Sequence, residues 1–176
     1  RILWGLFKKV VVADRLAVYV DTIYSHPDQH VGSTLLLATL FFTFQIYCDF
    51  SGYSDMAMGL AGLFGFTLCE NFRAPYLATS VQDFWHRWHI SLSTWLRDYL
   101  YVPLGGNRLG SRRTCVNLII TMLLGGLWHG AAWNFVLWGL YYAVLLIGER
   151  YLWGRALDKL PAVLRHLYAL VIVICG

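Results

Sequence analysis

Residues 114–148 carry no Asp, Glu, Lys or Arg, a charge-free run of 35 residues. A bilayer core about 30 Å thick is crossed by about 20 helical residues. The run is therefore too long for one ordinary span and slightly short for two full ones. Gly125, Gly126 and Gly130 fall near its middle, where a bend comes easily. The expectation is a membrane hairpin over 114–148, its two helices meeting near 125–132. One span followed by a partly inserted helix is the other way to use that length. In lipid only helices and closed barrels satisfy the backbone, and strand-type alternation is weak. The expected fold class is all-α: a polytopic membrane protein fragment with transmembrane helices plus an interfacial amphipathic helix.

Composition supports this. The chain is 58% hydrophobic and only 14% charged, against about 45–50% and 25% in soluble domains. Disorder is excluded, because disordered chains are poor in aromatics and rich in charge. The formal charge of +4 is a weak excess, and its basic residues sit between apolar runs. They do not form the basic surface of a nucleic-acid binder, so no nucleic-acid partner is expected. Cys48, Cys69, Cys115 and Cys175 form no CxxC pair and read as small hydrophobes. The chain begins at Arg1 and stops at Gly176 inside an apolar run. It reads as a piece of a longer chain, truncated at both ends.

Further spans are expected over 34–50 and 56–68, with the start of another at 167–175. Between the first two lies the polar, aromatic stretch CDFSGYSD at 48–55. Its Asp49 and Asp55 are expected to cap helix ends beside Gly52. Residues 2–20 are apolar but hold Lys8, Lys9, Asp14 and Arg15, as in a span end with snorkelling lysines or an interfacial helix. Arg108, Arg112 and Arg113 form one basic segment. Arg150, Arg155, Lys159 and Arg165 form another. The positive-inside rule puts both on the cytoplasmic side, so the 114–148 hairpin enters and returns.

Residues 79–101 read as one amphipathic helix. Ser80 and Asp83 have capping-box spacing. Val81, Phe84, Trp85, Trp88, Leu92, Trp95, Leu96 and Tyr99 repeat at three and four residues, one apolar face at helical period. Such a helix lies in the membrane interface. His86 falls on its polar face, as a solvated or headgroup histidine. His89 falls at the border of the apolar face. There it is either a histidine with a backbone partner or a functional one. His86-x-x-His89 lacks the carboxylate or cysteine that a metal site needs, so no metal is expected.

His129 lies mid-way through the charge-free run. An ionisable group at that depth is expensive and usually functional. Desolvation favours the neutral imidazole, which can accept a proton from an alcohol and so act as a general base. Glycine and alanine around it leave room for a substrate. A structural histidine bonded to a helix carbonyl is the alternative. There is no GxSxG elbow, phosphate loop or HExxH motif.

Several segments together resemble the membrane-bound O-acyltransferase family: FWHRWHISLS at 84–93, WLRDYLYVPLGGNR at 95–108 and GLWHG at 126–130. CDFSGYSD at 48–55 and GLFKKVVVADRL at 5–16 are similar to its bacterial branch devoted to alginate O-acetylation. D-alanyl transfer to teichoic acid is a sister activity. The resemblance implies that His129 is the catalytic histidine and that His89 is the second characteristic polar position. His86 departs from the Arg or Lys expected there. It implies a multi-pass protein of the bacterial inner membrane. An acetyl group would pass from a cytoplasmic thioester donor, acetyl-CoA or another, to an extracytoplasmic polysaccharide. A periplasmic acetyltransferase or carrier protein could intervene, and no cofactor is expected to stay bound. Trp128, Trp133 and Tyr99 would line the passage or simply pack. D-alanyl or other acyl transfer to an envelope polymer is one alternative. A non-catalytic transporter or scaffold is another.

Overall fold

The computed structural model describes residues 1–176. Every regular element is helical, in two compact units, Arg1–Asn71 and Phe72–Gly176. Two helices are long and apolar enough to cross a bilayer, Gly32–Leu63 and the continuous run Trp133–Leu157. Only 22% of either apolar window is buried inside the chain. Their apolar side chains are thus not the core of a soluble domain. This is an all-α membrane protein fragment, as the charge-free runs predict.

In the first unit, α1 (Ile2–Leu6), a π-helical segment (Phe7–Ala13) and α2 (Asp14–Ser25) follow one another without a break. They lie against α3 (Gly32–Leu63). The contact is made through glycine. A Cβ on Gly5 would sit 2.5 Å from the Gly52 carbonyl oxygen, and one on Gly52 2.7 Å from that of Gly5. Small residues at such crossings let backbones approach as membrane helices require.

The break expected around residues 49–55 is absent, and Asp49 and Asp55 cap nothing. α3 carries both through its interior because the facing run neutralises them. Lys8 Nζ lies 2.7 Å from Asp55 Oδ2 and donates to Ser51 Oγ at 3.0 Å. Arg1 Nε holds the other Asp55 oxygen at 2.8 Å. Lys9 Nζ lies 2.7 Å from Asp49 and 2.8 Å from Asp14. A charge in such a helix persists when paired. Lys8 does not snorkel; it is 8% exposed.

In the second unit a 3-10 turn (Pro75–Leu77) leads to α4 (Val81–Arg87) and α5 (Ile90–Leu96), followed by a π-helical segment (Arg97–Tyr101). Then come α6 (Gly110–His129) and α7 (Trp133–Gly148). α7 runs on through a π-helical segment (Glu149–Trp153) into α8 (Gly154–Leu157), and α9 (Ala162–Cys175) follows. α6 and α7 turn back on each other over three residues. A Cβ on Gly139 would meet the Met122 carbonyl oxygen at 2.5 Å, and one on Gly126 would run into that of Phe135. These glycines set the close approach of the hairpin. Val81, Met122, Tyr142 and Ala143 form the core, with Trp85 and Trp138 packed against it.

The amphipathic stretch 79–101 departs from a single helix. Its start is as expected: Ser80 Oγ accepts the Asp83 N–H at 2.9 Å, and Asp83 takes the Thr79 N–H at 3.1 Å. It then breaks at Trp88 and His89. The Arg73 N–H bonds the Arg87 carbonyl at 2.9 Å, using the acceptor that would have continued the helix. Phe84 stacks on Tyr142 and Trp85 meets it edge-on, whereas Leu96 of α5 lies over Gly125. The two halves of the stripe therefore pack at different places. Beyond Leu96 the stripe is open, with Trp95 and Tyr99 stacked on each other and exposed.

Candidate functional site

His89 sits in the break between α4 and α5. Its backbone is left-handed, φ 43° and ψ 53°. For a residue with a Cβ this costs about 1–2 kcal/mol. Such strain clusters at functional sites. α4 is held from both ends. The Glu149 carboxylate accepts the N–H groups of Val81 at 2.7 Å and Gln82 at 3.1 Å. At the other end Arg87 Nε bonds Asp83 at 2.8 Å and Arg87 reaches the Arg73 carbonyl. The imidazole is half-buried. Burial, with the nearby His129 adding to it, holds its pKa down to about 4, so it is neutral at pH 7.

His129 is the last residue of α6. The residue is exposed and its ring has three aromatic neighbours: Trp128 edge-on at 5.0 Å, Trp138 edge-on at 5.3 Å and Phe135 stacked at 6.0 Å between centroids. Gly130 makes the Phe135 stack possible, since a Cβ there would sit 2.6 Å from the Phe135 ring. Trp128 also meets His89 edge-on at 5.9 Å. The two histidines thus share one indole as neighbour and line one cavity of about 390 Å³. That volume lies in the range of small-molecule sites. The walls are Trp85, Trp88, Leu92, Leu96, Met122 and Trp138, with polar groups from Gln82, Tyr101, Asn107 and Arg150. No carboxylate lines it.

The membrane-bound O-acyltransferase family model matches residues 1–161. The chain belongs to the membrane-bound O-acyltransferase family. It is 51% identical over its whole length to a probable alginate O-acetylase of Azotobacter vinelandii, covering 35% of that protein. To a probable alginate O-acetylase of Pseudomonas aeruginosa it is 47% identical, again over the whole chain and 34% of the relative. A peptidoglycan O-acetyltransferase of Helicobacter pylori is 47% identical over 83% of the chain and 28% of its own length. The chain spans about a third of the length of these relatives. It is part of a membrane protein.

The residues singled out in the sequence do not all meet. His89 and His129, 40 positions apart in the chain, come to one cavity. His86 also reaches its edge but is exposed. Trp128 touches both histidine rings but is 62% exposed and does not line the cavity. Trp133 is 80% exposed and Tyr99 71% exposed, and neither lines the cavity. The tryptophans that do are Trp85, Trp88 and Trp138.

Three residues escaped the sequence reading. Glu149 clamps α4, although it reads as the plain end of a span. Arg150 reads as part of a basic loop, yet the helix continues through it and brings it to the cavity. Asn117 is fully buried in α6 and donates to the Gly106 carbonyl at 3.0 Å. That bond holds the Gly105–Gly106 turn, where both glycines have positive φ. A polar Asn near the start of the charge-free run was the available signal for it.

Proposed function

We propose that this segment carries the catalytic centre of an enzyme that acetylates a cell-envelope polysaccharide, with His129 as general base. The observation that carries the reading is the convergence of His129 and His89 on one carboxylate-free cavity. The acetylated polymers in the names of the relatives, alginate and peptidoglycan, point to the acceptor class.

The step is acyl transfer from a thioester. An acceptor hydroxyl in the cavity gives its proton to the neutral His129 imidazole as its oxygen attacks the acetyl carbonyl. The new C–O bond forms and the C–S bond breaks. The departing sulfur takes the proton from the His129 imidazolium, leaving ester and thiol. His89, neutral and lining the same cavity, is assigned to stabilise the carbonyl oxygen as negative charge develops there.

The basic segments on either side of the hairpin favour a cytoplasmic entrance for the donor, acetyl-CoA or another acyl thioester. The acceptor is then extracytoplasmic, directly or through a periplasmic acetyltransferase or carrier protein, and the membrane is the bacterial inner membrane. His129→Gln in the full-length protein should abolish polymer acetylation while the protein remains in the membrane at normal level. Acetylation at the wild-type rate in that variant would refute the proposal.

A further inference from the structure

The cavity holds a cation that the mechanism above does not use. Arg97 lines it but is satisfied by Asp98, at 2.7 and 3.2 Å. Arg150 also lines it and enters no ion pair; its guanidinium lies 5.6 Å over the Tyr151 ring. Beside it, the Tyr101 hydroxyl donates to Asn107 Oδ1, which leaves the Asn107 amide nitrogen with donors to offer. Arg150, Tyr101 and Asn107 all line the cavity, Arg150 and Asn107 being exposed there. An unpaired guanidinium and an amide donor in a cavity without carboxylates are complementary to an anion.

The distance from the reacting end is fixed by one helix. Trp138 touches His129, and the chain from Trp138 to Arg150 is unbroken helix, roughly 18 Å at 1.5 Å per residue. The π-helical segment Glu149–Trp153 sets the azimuth: Glu149 turns to α4 while the next residue, Arg150, turns to the cavity.

We propose that Arg150, with Asn107 beside it, is an anion-recognition subsite. It fixes the negatively charged far end of an elongated substrate whose acyl end lies at His129. The proposal rests on the acyl-transfer reading for which end reacts. The chemistry recognised is a phosphate or carboxylate, supplied by a phosphorylated thioester donor or by an acidic acceptor polymer.

The test is equilibrium binding to the purified full-length protein, wild type against Arg150→Gln. Three probes are used: coenzyme A, pantetheine as its phosphate-free counterpart, and an oligomannuronate. About tenfold or greater loss of affinity is expected for one anionic probe, with pantetheine unchanged. Loss for coenzyme A names the donor as the source; loss for the oligomannuronate names the acceptor. Arg150→Lys, which keeps the charge, should restore most of the affinity and guards against misfolding of the Gln variant. Unchanged binding of both anions, or equal loss for all three probes with no rescue by Lys, overturns the subsite. His129→Gln should bind the probes normally, so a failure of the general-base assignment is read separately, in turnover.

Discussion

Removal of the Asp55 carboxylate is the sharpest test of how α3 carries charge through an apolar helix. Asp55 accepts from Lys8 at 2.7 Å and from Arg1 at 2.8 Å. The Arg1 side chain is 45% exposed and that of Lys8 10%, so the two bonds differ in worth. Loss of the Arg1 pair costs at most about 1 kcal/mol, because water replaces the carboxylate. Loss of the Asp55 charge leaves a buried ammonium facing only neutral acceptors, Ser51 and the amide oxygen of the variant, and an uncompensated buried charge costs about 3–5 kcal/mol. Asp55→Asn should therefore destabilise the full-length protein by about 3 kcal/mol or more. The double variant Lys8→Met, Asp55→Leu removes both charges together and should lie within about 1 kcal/mol of wild type. The assay is thermal unfolding in detergent micelles followed by helical circular dichroism, with membrane-inserted protein quantified alongside. Wild-type stability for Asp55→Asn, or equal destabilisation by the single and double variants, would refute the buried-pair reasoning.

Two further outcomes concern α4 and His89. Glu149→Ala strips the partner from the N–H of Val81, which is fully buried, while water can reach the exposed Gln82. A buried unsatisfied amide costs about 2 kcal/mol, so hydrogen exchange at Val81 should quicken about 30-fold; an unchanged Val81 rate sinks the clamp. For His89 the folded pKa of about 4 lies below the usual value of about 6.5. The unfolded chain therefore binds the extra proton between these values. The stability held at pH 7 falls as pH drops from about 6.5 to about 4 and levels below. His89→Asn, which tolerates the left-handed backbone, should flatten the melting temperature across that window by the share His89 contributes. An identical pH profile in the two proteins would show that His89 is not the depressed group.

Legibility in the sequence followed the physics of each signal. The charge-free run announced a hairpin, because stripping water from a charge costs more than any other change a side chain undergoes on entering a bilayer. The lack of charge is visible in composition alone. His129 stood out for the same reason inverted, as the one imidazole in that run. The start of α4 was readable since a cap is local, decided by Ser80 and Asp83 three residues apart. What stayed hidden depends on partners distant in sequence. Asp49 and Asp55 look like helix ends until Lys8 and Lys9 are laid beside them. The wheel over 79–101 assumes unbroken helix, and the break at Trp88–His89 depends on Arg73, which local periodicity does not register.

That break gives His89 its place in the site. On one continuous helix its imidazole belongs at the border of the apolar face, and the stripe from Val81 to Tyr99 would pack as a single surface. Interrupting the helix lets α4 dock on Tyr142 while α5 follows α6, and the vacated space between them is the wall of the cavity. His89 then faces the same indole as His129. The strain of its left-handed backbone is about 1–2 kcal/mol. The docking of Phe84 and Trp85 on Tyr142 and the Glu149 clamp more than offset it. The helix break and the site are thus one structural feature: closing the break into regular helix would remove the second histidine from the cavity.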